Sequence, residues 1–149
     1  MAETQDASVG YMGEVWLHDG TALYELRQVK SFSLPSQERD KVDATHLKTP
    51  GWRKKYLMTW FADSEFDVVM NFRPLSTTNT MLNTALSAGT VRAAKLVIPE
   101  NGVPVAQIEC TVKVSSKDDG EISADGVMES TVTLLIETID AVEAYVAPV

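Results

Sequence analysis

Apolar and polar side chains alternate with a period of two through most of this chain. Between Glu65 and Phe72, the residues Phe66, Val68, Met70 and Phe72 fall on one face and Glu65, Asp67 and Asn71 on the other. That is the pattern of a strand with one wet side. The segments VRAAKLVIP and VPVAQIECTVKVSS flank Asn101-Gly102. Asn-Gly supplies the two positive-φ positions of a type I′ turn at little strain, so residues 91–115 are predicted to form one long hairpin. In its second arm Ala106, Ile108, Cys110, Val112 and Val114 share a face opposite Gln107, Glu109, Thr111 and Lys113. A last strand turns Met128, Val132, Leu134 and Ile136 inward and Glu129, Thr131, Thr133 and Glu137 outward, with SSKDDGEISADG as the turn before it. Near the start, residues 11–34 read as another hairpin, turning at Asp19-Gly20.

One segment breaks this rhythm. In PLSTTNTMLNTALSAGT, Met81, Leu82, Ala85 and Leu86 recur at helical spacing. Ser76 or a following threonine can cap the start, and Gly89 suits the left-handed position after the end. One helix of about three turns is predicted, packed on the sheet. The fold class is therefore mainly β: an antiparallel β-sandwich or barrel with one flanking α-helix and a long irregular loop. The loop spans residues 35–62, and residues 1–149 read as a single domain whose first ten residues are flexible. Loops of this length inside a compact domain are usually functional or disordered, and Trp52, Tyr56, Leu57, Met58 and Trp60 argue against disorder. Trp52, Tyr56 and Trp60 share a face at either helical or strand spacing, so periodicity leaves residues 49–60 open between helix, strand and loop.

Charge changes the picture. The 149-residue chain has a net charge of −8, distributed in blocks. The first 26 residues carry five acids and no Lys or Arg, residues 27–55 carry eight bases against three acids, and residues 100–149 carry ten acids against two bases. Three of the bases, Arg53, Lys54 and Lys55, are consecutive and lie among the aromatic side chains of residues 49–60. The N-terminus lacks the basic and apolar regions of a secretory signal, and no apolar stretch approaches the roughly 18 residues of a membrane span. A soluble protein made in a cytosol, with no membrane partner, is expected.

Candidate chemistry is thin. Cys110 is the one cysteine, and with His18 and His46 it makes too small a set for a structural zinc site. It alternates with Ile108 and Val112, as a buried inert thiol would. No glycine-rich phosphate loop or dinucleotide fingerprint is present, so no cofactor is expected. KDDGE lacks the spaced ligands of a calcium loop. Carboxylate pairs such as Glu65 with Asp67 could in principle serve a glycosidase, but chance pairs are common among 21 acids. An enzyme is the weakest reading. The basic, aromatic segment could bind nucleic acid by phosphate contact and stacking, against the long-range repulsion of the net charge. Trp52, Tyr56 and Trp60 could form a platform for a ligand on a monomeric β-sandwich, or could be core residues. Self-association accounts for more of the data, because basic and acidic blocks on identical chains are complementary surfaces. Contact between unlike patches yields rings or filaments.

The stretch VDATHLKTPGWRKKYLMTWFADSEFDVVMNF resembles the central region of the tail tube proteins of long, non-contractile tailed phages and of the related tubes of gene transfer agents. The resemblance rests on a hydrophobic-Asp-x-Thr element (Val42, Asp43, Thr45), then an irregular loop, a basic run, a short strand, and an acidic turn into the strand Asp63 to Phe72. The helix and the Asn-Gly hairpin extend it over residues 12–138. Near Asp63 the family usually has a glycine, where this chain has Ser64 and Glu65. The resemblance implies a subunit of hexameric rings that stack around a tape-measure protein and leave a channel for DNA, which passes without specific binding. Baseplate or tail-tip proteins and a tail terminator are the implied partners. The implied location is the virion tail, assembled in the host bacterial cytoplasm. The loop is implied to reach toward the neighbouring ring through Val42, Asp43, Thr45, Lys48, Trp52, Arg53, Lys54 and Lys55. If the polar strand faces line the channel, Glu65, Asp67, Glu109 and Glu129 point into it. A tail terminator and a tube protein of the type VI secretion class are the neighbouring alternatives.

Overall fold

The computed structural model describes residues 10–147. Its strands are β1 (Glu14–His18), β2 (Leu23–Glu25), β3 (Val29–Phe32), β4 (Arg39–Asp43), β5 (Tyr56–Phe61), β6 (Glu65–Asn71), β7 (Arg92–Glu100), β8 (Val103–Asp118), β9 (Glu129–Ile139) and β10 (Glu143–Ala144), with one helix, α1 (Thr77–Ala88). All pairings are antiparallel. The main sheet runs β2-β1-β7-β8-β9-β6-β3, and β4 and β5 form a separate two-stranded ribbon.

The two ends of the main sheet, β2 and β3, are consecutive in the chain and three residues apart, so the sheet curls back on itself. Leu26 sits buried at that corner and donates its N–H to Val15 O at 2.9 Å. β8 belongs to both halves: its first part pairs with β7 through Arg92↔Val112, and its second part pairs with β9 from Cys110↔Ile139 onward. Register shifts near Val112 and Val114 bend it between the halves, as bulges do. Because alternate residues face one side, Val15, Leu17, Phe66, Val68, Met70, Leu96, Ile108, Val112, Val132 and Leu134 meet in one core.

The predicted helix forms with the predicted caps. Ser76 Oγ accepts from Asn79 N at 3.2 Å, and Gly89, at φ 63°, donates to Ala85 O at 3.0 Å. Met81, Leu82 and Ala85 point into the core. The Asn101-Gly102 turn has both residues at positive φ, 51° and 79°, as a type I′ turn requires.

Three expectations need correction. Residues 35–62 are not simply irregular, since strands β4 and β5 occupy much of the segment. The connection before β9 is shorter than read, because β8 continues through Lys117 and Asp118. Gln107 lies on the polar face yet is buried, because the C-terminal segment crosses it: β10 pairs with β8, Gln107 Nε2 donates to Glu143 Oε1 at 2.7 Å, and Gln107 Oε1 accepts from Val146 N at 3.1 Å. The same strap covers Lys95, whose Nζ donates to Val146 O at 2.7 Å and lies 5.0 Å from the Tyr145 ring centroid.

Candidate assembly surface

The ribbon leaves the body after β3 and returns at β6. Ala62 N donates to Glu38 O at 2.7 Å and Ser64 Oγ donates to Ser36 O, which closes its base. Pairing of Val42 with Leu57 and Asp43 with Tyr56 sets its register. That register puts Tyr56, Met58 and Trp60 on one face with Lys41 and Asp43, and Val42, Leu57 and Thr59 on the other. Lys41 Nζ lies 4.7 Å from the Tyr56 ring centroid, and the Arg39 guanidinium lies 4.9 Å from that of Phe61. Both faces are apolar in part and neither is covered: Val42, Tyr56, Leu57, Met58, Trp60 and Phe61 are all exposed. An isolated two-stranded ribbon is marginal in water, and this one leaves apolar residues bare on both sides, as interaction surfaces often do.

The ribbon tip, residues 44–55, is held by the hydrophobic-Asp-x-Thr element. Asp43 Oδ1 accepts from Thr45 N at 2.8 Å, Thr45 Oγ1 accepts from Lys55 N at 2.7 Å, and Ala44 N donates to Lys55 O at 2.7 Å. Hydrogen bonds from Thr45, side chain first and backbone second, with Lys54 nearby, hold the Asp43 carboxyl below the ordinary aspartate range. Asp43 and Thr45 therefore have an intrachain task, which is to fix where the tip begins and ends. Beyond this latch, Gly51 and Trp52 both adopt positive φ, 79° and 56°, in a single 3-10 turn. Left-handed backbone is costly for a bulky side chain. Trp52 is also 104% exposed and Leu47 106% exposed, so this chain supplies neither with a contact. Among the described residues, Lys48, Arg53, Lys54 and Lys55 form no ion pair.

The core reading of the three rings is thus excluded, since Trp52, Tyr56 and Trp60 are exposed. Glu65, Asp67, Glu109 and Glu129 all lie on the face of the curled sheet away from the core, but not as one acidic strip. Glu65 and Asp67 are adjacent on that face, where Asp67 Oδ1 accepts from Thr133 Oγ1 at 2.7 Å. Glu129 lies toward the opposite end of β6, across from Asn71, and pairs with Lys30. Glu109 accepts from Gln107 Nε2 at 3.4 Å. Lys113, Leu135 and Glu65 form one cross-strand row, and Lys113 Nζ is 2.8 Å from Glu137. The face is mixed, with acids in excess.

Among the described residues no group of three or more His, Cys, Asp or Glu side chains is arranged to hold a metal, and no helix is long and apolar enough to cross a membrane. Burial, with the charge of Asp140, pushes the Cys110 thiol up to about 11.

No family model and no curated protein matches the sequence. Solved structures do match the fold. A chain from the tail of an empty gene transfer agent particle with C6 symmetry has a TM-score of 0.70 at 15% identity, covering 94% of this chain and 100% of that one. A chain of the SPP1 tail tube has a TM-score of 0.70 at 8% identity, covering 95% and 81%. This chain shares the fold of these tail chains. A chain of the anti-feeding prophage baseplate, from a six-fold symmetrised structure, shares the fold with a TM-score of 0.75 at 11% identity, covering 92% and 96%. At such identities the likeness concerns the fold and not particular side chains.

Proposed function

We propose that this chain is a structural subunit that self-assembles into stacked hexameric rings, forming a tail tube that surrounds a tape-measure protein and passes DNA. The observation that carries the reading is the ribbon: an apolar, cationic surface that its own chain leaves bare, on a tail-tube fold. In the assembly, Val42, Lys48, Trp52, Arg53, Lys54 and Lys55 contact a neighbouring subunit, while Asp43 and Thr45 hold the tip in shape for them. Buried aromatics supply contact area, and cations steer and orient docking. The sheet face with Glu65, Asp67, Glu109 and Glu129 lines the channel, where an excess of acid keeps DNA sliding rather than bound. A tube with a neutral or basic channel would overturn that assignment. Baseplate or tail-tip proteins and a terminator complete the tube at its ends, in a virion tail assembled in the bacterial cytoplasm.

The test is negative-stain electron microscopy beside sedimentation velocity across a concentration series. Stacked rings or hollow tubes are expected. A monomer at every concentration, with tryptophan fluorescence that responds to a small ligand, would replace this reading with a ligand-binding sandwich.

A further inference from the structure

The basic ribbon tip and the most acidic turn of the chain emerge from opposite ends of the same pair of strands. The ribbon joins β6 at Glu65, which pairs with Leu135 of β9. The β8–β9 connection, residues 119–128, meets the pair at the other end, where Glu129 is opposite Asn71 and Asp118 is opposite Thr131. The tip carries four cations and no acid. From Asp118 to Met128 the chain carries Asp118, Asp119, Glu121 and Asp125 and no base. Apolar side chains accompany each charge set: Leu47 and Trp52 at the tip, and Ile122 and Val127, 78% and 70% exposed, in the acidic turn. Two of the acids are engaged at home, since Asp119 bonds Lys117 and Ser130 and Asp118 accepts from Gly120 N. Glu121 and Asp125 are exposed, and among the described residues they form no ion pair.

We infer that the β8–β9 turn, through Glu121, Ile122, Asp125 and Val127, is the surface on which the ribbon tip of a second copy docks. This deepens the tube reading and rests on it. The argument is charge complementarity together with position. Unlike patches on one end face would lead a chain to pair back to back, whereas unlike patches at opposite ends of a strand pair add copies head to tail and leave one free tip and one free turn. Growth along an axis then has a direction fixed within each subunit. The apolar pairs set contact area at the junction, and the charges set polarity and exclude tip-to-tip encounters.

The test uses the full chain with two reversed forms: Arg53→Glu, Lys54→Glu and Lys55→Glu together at the tip, and Glu121→Lys with Asp125→Lys at the turn. All five positions are exposed, so circular dichroism should be unchanged for both forms. Each form alone should need at least about tenfold more protein to assemble than the parent. Mixed in equal amounts they should co-assemble, because each offers the other a matched junction, and a chain carrying all five substitutions should assemble alone. If the tip form fails while the turn form assembles normally, or if neither the mixture nor the form with all five substitutions recovers, the turn is not the acceptor, although the tube reading stands. If the parent never assembles, the tube reading itself fails.

Discussion

Replacing Trp52 with asparagine separates what the tip does for the subunit from what it does between subunits. The indole is 104% exposed, so its removal takes no contact from the folded monomer. The backbone there has φ 56°. Left-handed geometry costs an ordinary L-residue about 1–2 kcal/mol, and asparagine tolerates it better than any other side chain except hydrogen. The isolated subunit should therefore be unchanged or up to about 1 kcal/mol more stable, a rise of roughly 2–4 °C in melting temperature at this size. Between subunits the sign reverses. A buried tryptophan removes roughly 150–250 Å² from water, about 4–6 kcal/mol gross at 25 cal/mol per Å². A central aromatic commonly costs about 2 kcal/mol or more on truncation. That is about a 30-fold weaker contact. Melting followed by circular dichroism at low concentration reads the first effect, and the threshold concentration for assembly by sedimentation reads the second. Assembly within about twofold of the parent would refute the reasoning, as would a clearly less stable monomer.

The remaining predictions concern the body and the latch. Accepting from Thr45 lowers the Asp43 pKa in the folded chain, so its contribution to tip order is complete above the unfolded value and is lost as pH falls through the folded one. Carboxyl chemical shifts should show Asp43 titrating below the ordinary aspartate range, and Thr45→Val should move it back up. Gly120 has φ +72°, and a Cβ there meets Glu129 O at 2.7 Å; Gly120→Ala should cost about 3 kcal/mol and lower the melting temperature by roughly 10 °C. Native Cys110, buried with its thiol pushed up to about 11, should resist alkylation near pH 8 and react on unfolding; rapid modification of the native chain would contradict the packing.

What could be read from the sequence is what short-range chemistry determines. The β6 alternation, the Ser76 and Gly89 caps and the Asn101-Gly102 turn each depend on residues within a few positions of one another. The ribbon was ambiguous because Trp52, Tyr56 and Trp60 satisfy both periods, and the register that decides between them comes from β4, more than ten residues away. The partnership of β3 with β6, and the strap that buries Lys95 and Gln107, depend on segments tens of residues apart and leave no local mark. At the candidate surface the cations and rings were legible as a cluster. The latch role of Asp43 and Thr45 was not, because it requires Lys55 to return beside them.

The order of strands in the sheet also sets an order in time. β1 pairs with β7, and β6 pairs with β9, so neither half of the body can close until most of the chain exists, whereas both strands of the ribbon are complete at Phe61. During synthesis at about 5–20 residues per second, the ribbon is therefore out roughly 4–16 s before β9 follows it. A nascent chain spends that interval with its apolar ribbon made and its core open. Any factor that shields young chains from aggregating meets the apolar residues of the ribbon early, and mutations that slow the late strands should show first as lost yield rather than as lost stability.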